Sequence, residues 1–252
     1  MNSFSVLRCY RVLLLIVLAL TAGNAWTQPL RCGLALGFPP YQHQISGKPD
    51  GFDAQVVHLL FSKMGIELLL VQDNWDLVLN ELRFGHLDLI TGMEITPLRQ
   101  RYFDFTMPYY ERTGVLFVMA NNPRIQQLSD LYGQRISGDR QTLLEAEWRE
   151  QGIRERFRIL KVDSKQEAMS LLKQGKIEGA IMPREVGIYL AKQLGVQVRE
   201  LVRAKQGAPV ALAVKKGNIQ LLQRLDATLR QLIADGTIER TYQHWLHDES
   251  GR

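Results

Sequence analysis

The sequence has 252 residues, 46% of them hydrophobic and 23% charged, the balance of an ordinary globular chain with room for one large domain or two lobes with separate cores. Its formal net charge of +5 falls to +3 without the two arginines of the first 25 residues, Arg8 and Arg11, a surplus too mild to argue for nucleic acid. The basic stretch "WREQGIRERFRILK" interleaves Glu150 and Glu155 with its arginines, as a solvated helix face does, and no phosphate loop, dinucleotide fingerprint or Ser-His-Asp grouping is present.

At the N-terminus, "VLLLIVLAL" (Val12 to Leu20) is a nine-residue apolar run behind Arg8 and Arg11, followed by "TAGNAW" with Gly23 and Ala25 at small-residue positions. A bilayer span needs about 20 apolar residues, so the run predicts an export signal over residues 1–25, cut after Ala25. No later segment approaches spanning length, and no cysteine stands at the cleavage point to take a lipid. The expected destination is the periplasm. Cys9 leaves with the signal, and Cys32, in the apolar run "LRCGLAL", reads as a buried small hydrophobe.

Along the mature chain the hydrophobic period alternates between strand and helix values. "CGLALG" predicts a buried strand and "FPPYQHQISGKPDGF" a loop. Asp53 can cap a helix whose Val56, Val57, Leu60, Phe61 and Met64 share a face and which Gly65 ends. "IELLLV" and "LDLIT" read as strands around the helix "WDLVLNELRFG". The grammar then recurs: strand "QRISG", a helix from Thr142 as N-cap, strand "FRILKV", and a helix opening with the capping-box pair Ser164 and Glu167. Strand "IEGAIM", helix "REVGIYLAKQLG" and strand "VQVREL" follow. The apolar strand "APVALAVKKGN", a long helix with the stripe Ile219, Leu222, Leu225, Leu229, Leu232 and Ile233, and the helix "TIERTYQHWL" close the chain. His244 and His247 stand three apart there, a polar face without a third metal ligand.

Helices between short buried strands imply an α/β fold with mainly parallel sheets and crossover connections. "RTGVLFVMAN" and "GAPVALAVKK" read as two strands joining a first lobe to a second, which makes a hinge with a cleft beside it. Periodicity alone leaves a single doubly wound sheet open as well.

Residues 38–110 carry a resemblance. The opening "FPPY", "GFDAQVVHLL", a tryptophan before a helix ending in "LRFGHLDLI", "GMEITPLR" and "FDFTMPYY" occur in the order found in periplasmic solute-binding proteins of family three, the polar amino-acid binders of ABC importers. The resemblance implies a two-lobed type II periplasmic-binding fold with a two-strand hinge. Lobe 1 would take residues 26–116 and 209–252, and lobe 2 residues 117–208. It further implies a small polar ligand between the lobes, with Phe38 and Trp75 as an aromatic clamp. Arg99 would grip a carboxylate, Thr142 would offer a hydroxyl and helix N-terminus to it, and Gly92 and Glu94 would belong to the same wall. A guanidinium fork matches a carboxylate, and helix N-termini favour anions, so the chemistry suits those roles.

Two positions depart from the family. Glu94 stands where a hydroxyl residue is usual, and it would repel a carboxylate or pair with Arg99. Such charges interact by about 4 kcal/mol at an effective dielectric of 20. Pro183 replaces the aspartate that holds the α-ammonium, ahead of Arg184 and Glu185, and Gln141-Thr142 replaces Gly-Thr. One explanation is a swapped polarity, with Glu94 taking a cationic group while Arg99, Thr142 and Arg184 hold an anionic one. The other, which two independent departures favour, is a ligand that is not an α-amino acid. A monomeric binding protein serving an ABC permease, without cofactor or metal, is the expected role. The alternatives are a ligand sensor for a membrane receptor, or an enzyme like the cyclohexadienyl dehydratases with Glu94 in proton transfer.

Overall fold

The computed structural model describes residues 28–138 and 142–248, with side chains to residue 246. The predicted export signal, Gln141 and the side chain of His247 lie outside them. No described helix is long and apolar enough to cross a membrane.

Lobe 1 begins with β1 (Leu30–Ala35), then a hairpin of β2 (His43–Ile45) and β3 (Lys48–Asp50) inside the predicted loop. Next come α1 (Phe52–Met64), β4 (Leu68–Asp73), α2 (Trp75–Phe84), β5 (Leu89–Glu94) and the short strands β6 (Phe103–Phe105) and β7 (Tyr110–Arg112). Lobe 2 holds β8 (Gly114–Met119), β9 (Arg135–Ser137), α3 (Leu143–Glu150), β10 (Arg158–Leu160), α4 (Lys165–Lys173), β11 (Gly179–Pro183), α5 (Arg184–Gln193) and β12 (Val198–Arg203). The chain returns through β13 (Ala208–Lys215), α6 (Ile219–Ala234) and α7 (Thr237–Gln243) to a π-helical turn, His244–Asp248.

The sheets run β4-β1-β5-β13-β6, with β7 beside β13, and β10-β9-β11-β8-β12. They are mixed where mainly parallel sheets were expected. β1 is parallel to β4 and β5, and β9 to β10 and β11, but β13 and β8 run antiparallel to every neighbour. Those two strands arrive from the other lobe and not over a crossover helix, so the right-handed rule does not govern them.

The lobes are joined at Thr113, between β7 and β8, and over residues 204–207, between β12 and β13. The crossings lie side by side: Arg112 pairs with Ala208, and the Ala204 amide donates to the Gly114 carbonyl at 2.8 Å.

The helix α1 buries four of the five residues on its predicted face, and α6 three of the six in its predicted stripe. Val56, Val57, Leu60 and Phe61 of α1 are buried, and Gly65 ends it in a left-handed conformation at φ +65°, open to glycine without strain. In α6 the buried stripe is Leu221, Leu225, Leu229 and Leu232, while Ile219 is 47% exposed. In lobe 2, Trp148 stacks on Phe157 at 4.5 Å under the sheet. Each fully buried side chain of this size contributes about 1.5–3 kcal/mol. Cys32 is buried, as expected.

Candidate ligand-binding site

A cavity of ≈ 350 Å³ lies between the lobes, of a size to hold one small molecule. Lobe 1 supplies Phe38, Trp75, Gly92, Glu94, Arg99 and Arg112, and lobe 2 supplies Gly138, Thr142 and residues 161–165. Six of the seven residues expected from the sequence therefore line one space.

Local chemistry puts them there. Asn74 caps α2 by accepting from the Asp76 amide at 2.9 Å, which sets Trp75 as the first helical residue at the cavity edge. Glu94 ends β5, and Arg99 opens a 3-10 turn in which its amide donates to Thr96 Oγ1 at 3.3 Å. Arg99 Nη1 donates to the Glu94 backbone carbonyl at 2.9 Å, and its guanidinium lies 5.4 Å from the Trp75 ring centroid. Among the described residues the Glu94 carboxylate accepts no hydrogen bond and joins no ion pair.

From lobe 2, Thr142 caps α3 as predicted, its Oγ1 accepting from the Glu145 amide at 3.2 Å. Ser164 caps α4 by accepting from the Glu167 amide at 3.1 Å, but Glu167 returns its bond to the Asp163 amide at 2.8 Å and not to Ser164. The lobes meet along this rim. Lys161 ion-pairs with Asp76 across the cleft, and a Cβ placed on Gly37 would come within 3.0 Å of the Ser164 Cβ. Lys165, which is buried, donates to the Ile181 carbonyl at 3.3 Å.

Arg184 stands elsewhere. It is the first residue of α5, with its Nε 2.9 Å from Glu200 Oε1 and its amide on the Thr113 carbonyl at 2.9 Å. Pro183, paired with Gly114, likewise sits at the hinge.

Beneath the cavity is a buried polar cluster that sequence reasoning missed. Asp53 reads as a helix cap, yet the N-cap of α1 is Gly51 and the Asp53 carboxylate points inward. It accepts from Tyr109 OH at 2.6 Å, Gln42 Nε2 at 2.7 Å, Arg112 Nη2 at 3.0 Å and Tyr110 OH at 3.0 Å. Burial pushes its pKa up, against Arg112 and these donors, which hold it down. Burial likewise opposes charge on Arg112, but Tyr110, Asp53 and Glu94 outweigh it and keep its pKa above the ordinary value. The Arg112 head is enclosed by the rings of Phe38, Tyr41 and Tyr110, at 4.7, 4.6 and 5.1 Å. The one sequence signal was an arginine inside the apolar hinge run "YYERTGVLF".

Two α/β lobes with paired crossings, closed on a polar cavity walled from both sides, define a ligand-trapping binding protein. Residues 30–248 match the family described as bacterial extracellular solute-binding proteins, family 3, and the chain belongs to that family. It is a binding protein and not an enzyme. The ABC transporter arginine-binding protein 1 of Escherichia coli (strain K12) is 28% identical over 241 residues, covering 93% of this chain and 98% of that protein. The L-cystine-binding protein TcyJ of the same strain is 25% identical over 220 residues, covering 86% and 82%. Among solved structures, an ancestral arginine-binding protein bound to arginine aligns with TM-score 0.78 and 28% identity over 86% of this chain and 97% of that one. A histidine kinase sensor domain aligns at TM-score 0.79 with 22% identity, over 87% and 96%, a likeness of fold alone.

Proposed function

We propose that the protein captures a polar α-amino acid between its lobes and delivers it to an ABC permease. One observation carries this reading. Glu94 lines the cavity and, among the described residues, its carboxylate accepts no hydrogen bond and joins no ion pair, beside an Arg99 guanidinium held by the Glu94 carbonyl and Trp75. An acid and a base held side by side but not joined suit a zwitterion: ammonium on Glu94, carboxylate on Arg99 and the Thr142-capped end of α3. Phe38 and Trp75 supply apolar walls. This is the swapped polarity that accounts for the lost aspartate at Pro183, and the arginine- and cystine-binding relatives favour it over a ligand of another class. Arg184, at the hinge, takes no direct part.

In this reading residues 1–25 direct export, the mature monomer begins at Trp26, and lobe 1 takes the chain on either side of lobe 2, with the crossings at Thr113 and residues 204–207 where the sequence led to boundaries after residues 116 and 208. Closure is favoured to the extent that the ligand binds the closed form better than the open one. The test is calorimetric titration and thermal melting of the mature chain against the common amino acids. A ligand at 100 times its Kd adds about 2.7 kcal/mol, a shift of several degrees. Silence from every amino acid, with a shift from an amine or an organic acid, would overturn the reading. A receptor role is separated by asking whether loss of the protein abolishes uptake of the ligand or only the response to it.

A further inference from the structure

An arginine head carries five N–H donors. In Arg112, Nη2 serves Asp53 and the Tyr110 hydroxyl, Nε is sealed from the cavity, and Nη1 keeps some exposed surface and meets no acceptor among the described residues. Donors in so enclosed a setting are nearly always served, so one that is reachable and unserved calls for a reason. Arg112 is only 4% exposed, yet it forms part of the cavity wall. Three aromatic rings fix its head, so it cannot swing away from whatever the cavity holds.

Its place along the floor matters as much. Gly92 abuts the Asp53–Gln42 end of the cluster, where Arg112 is anchored, and Glu94, two residues further along β5, holds Arg99. A strand rises about 3.3 Å per residue, so the points of β5 beside which the two guanidinium groups are anchored lie about 7 Å apart. An amino acid with its carboxylate on Arg99 and its ammonium on Glu94 directs its side chain toward Arg112. A cationic terminus there meets a like charge whose counter-ion, Asp53, is already engaged by four donors. A carbonyl oxygen there completes the guanidinium.

We propose that Arg112 is a specificity-determining residue which binds a hydrogen-bond acceptor at the end of the ligand's side chain, so that the site prefers neutral amide or ureido amino acids to basic ones. This rests on the amino-acid reading above. It departs from what the arginine-binding relatives suggest, and the pull of Glu94 on a basic side chain is the rival effect.

Two comparisons decide the matter, the isosteric pair citrulline against arginine and the pair glutamine against lysine, each titrated calorimetrically into the mature protein. The amide and ureido ligands are expected to bind about tenfold tighter or more, because a site built to donate a hydrogen bond rejects the partner that cannot accept it. Arg112→Met alone strands the Asp53 carboxylate, so the deletion is made as Asp53→Asn/Arg112→Met and compared with Asp53→Asn, both checked by melting. In the double variant the preference should collapse. Arg112→Lys, which keeps a charge beside Asp53, should still discriminate against arginine while weakening citrulline. Arginine binding as tightly as citrulline to the parent protein overturns the proposal. So does a preference unmoved by removing Arg112 from the folded Asp53→Asn background. Failure of all four to bind, or binding led by arginine or lysine, removes this proposal alone, whereas silence from every common amino acid removes the amino-acid reading with it.

Discussion

Arg99 bonds to the backbone of Glu94 and not to its side chain, at 2.9 Å from Nη1 to the carbonyl oxygen. The two residues thus share a cavity wall without forming an ion pair with each other.

Replacing Glu94 with glutamine should therefore weaken ligand binding and leave the empty protein intact. Hydrogen bonds to charged groups contribute about 1.5–3 kcal/mol, so Kd should rise roughly thirtyfold. The melting temperature without ligand should move by only a few degrees, because among the described residues the carboxylate accepts no hydrogen bond and only its attraction for the Arg112 charge is lost. A large drop in the unliganded melt would show that Glu94 is structural.

The Lys161–Asp76 pair spans the cleft with both side chains more than half exposed. Exposed pairs are worth about 0.2–1 kcal/mol, so Lys161→Met should speed ligand release by no more than about fivefold. The reversed pair Asp76→Lys/Lys161→Asp should restore the rate, and the difference between parent and Lys161→Met should fade in high salt. Stopped-flow release at two ionic strengths reads both. A reversed pair no better than the single variant would count against a direct cross-cleft interaction.

Gly92 has φ +68°, and a Cβ there would lie 2.1 Å from Asp53 Oδ2 and 2.2 Å from Gln42 Nε2. Gly92→Ala combines backbone strain with a clash inside the buried cluster, for a loss of about 3 kcal/mol. Thermal melting should show a fall of roughly 5–10 °C, and an unchanged melt would mean the cluster gives way freely.

Asp104 ties β6 to the turn after β13, accepting from Lys216 Nζ at 2.6 Å and the Gly217 amide at 2.8 Å. Burial raises its pKa, but the Lys216 hydrogen bond, the Gly217 amide and the Lys216 charge outweigh it and hold Asp104 below the usual carboxylate range. A depressed carboxylate stabilises the fold above its unfolded value of about 3.9, and the contribution disappears as pH falls through the lower folded value. Asp104→Asn should melt below the parent at pH 7, with the two curves converging as pH falls through the depressed folded value.

Sequence chemistry that acts over a few residues was legible. Thr142 and Ser164 cap helices because a short polar side chain reaches an amide three residues on, and Gly65 ends one because φ is positive there. Motif order brought Phe38, Trp75, Gly92, Glu94, Arg99 and Thr142 to one cavity. Arg112 was not legible, since its enclosure is built from residues 38, 41, 53 and 110, which only the fold assembles. Asp53 deceived for a related reason: an acid near a helix start has a local use, and only burial against Tyr109 and Arg112 reveals the other. Arg184 stands beside the family's ammonium-binding position in sequence, but α5 begins at the hinge and carries its side chain to Glu200.

Cys32, wholly buried on β1 with its thiol pKa pushed far up by burial, is the only cysteine beyond the predicted signal. Thiol reagents attack the thiolate, so this sulfur is silent until β1 is prised from its neighbours. The protein thereby carries its own stopwatch. Alkylation of Cys32 times the transient opening of the lobe 1 core, and a ligand that binds only the folded state should slow it by the factor that its concentration and Kd dictate.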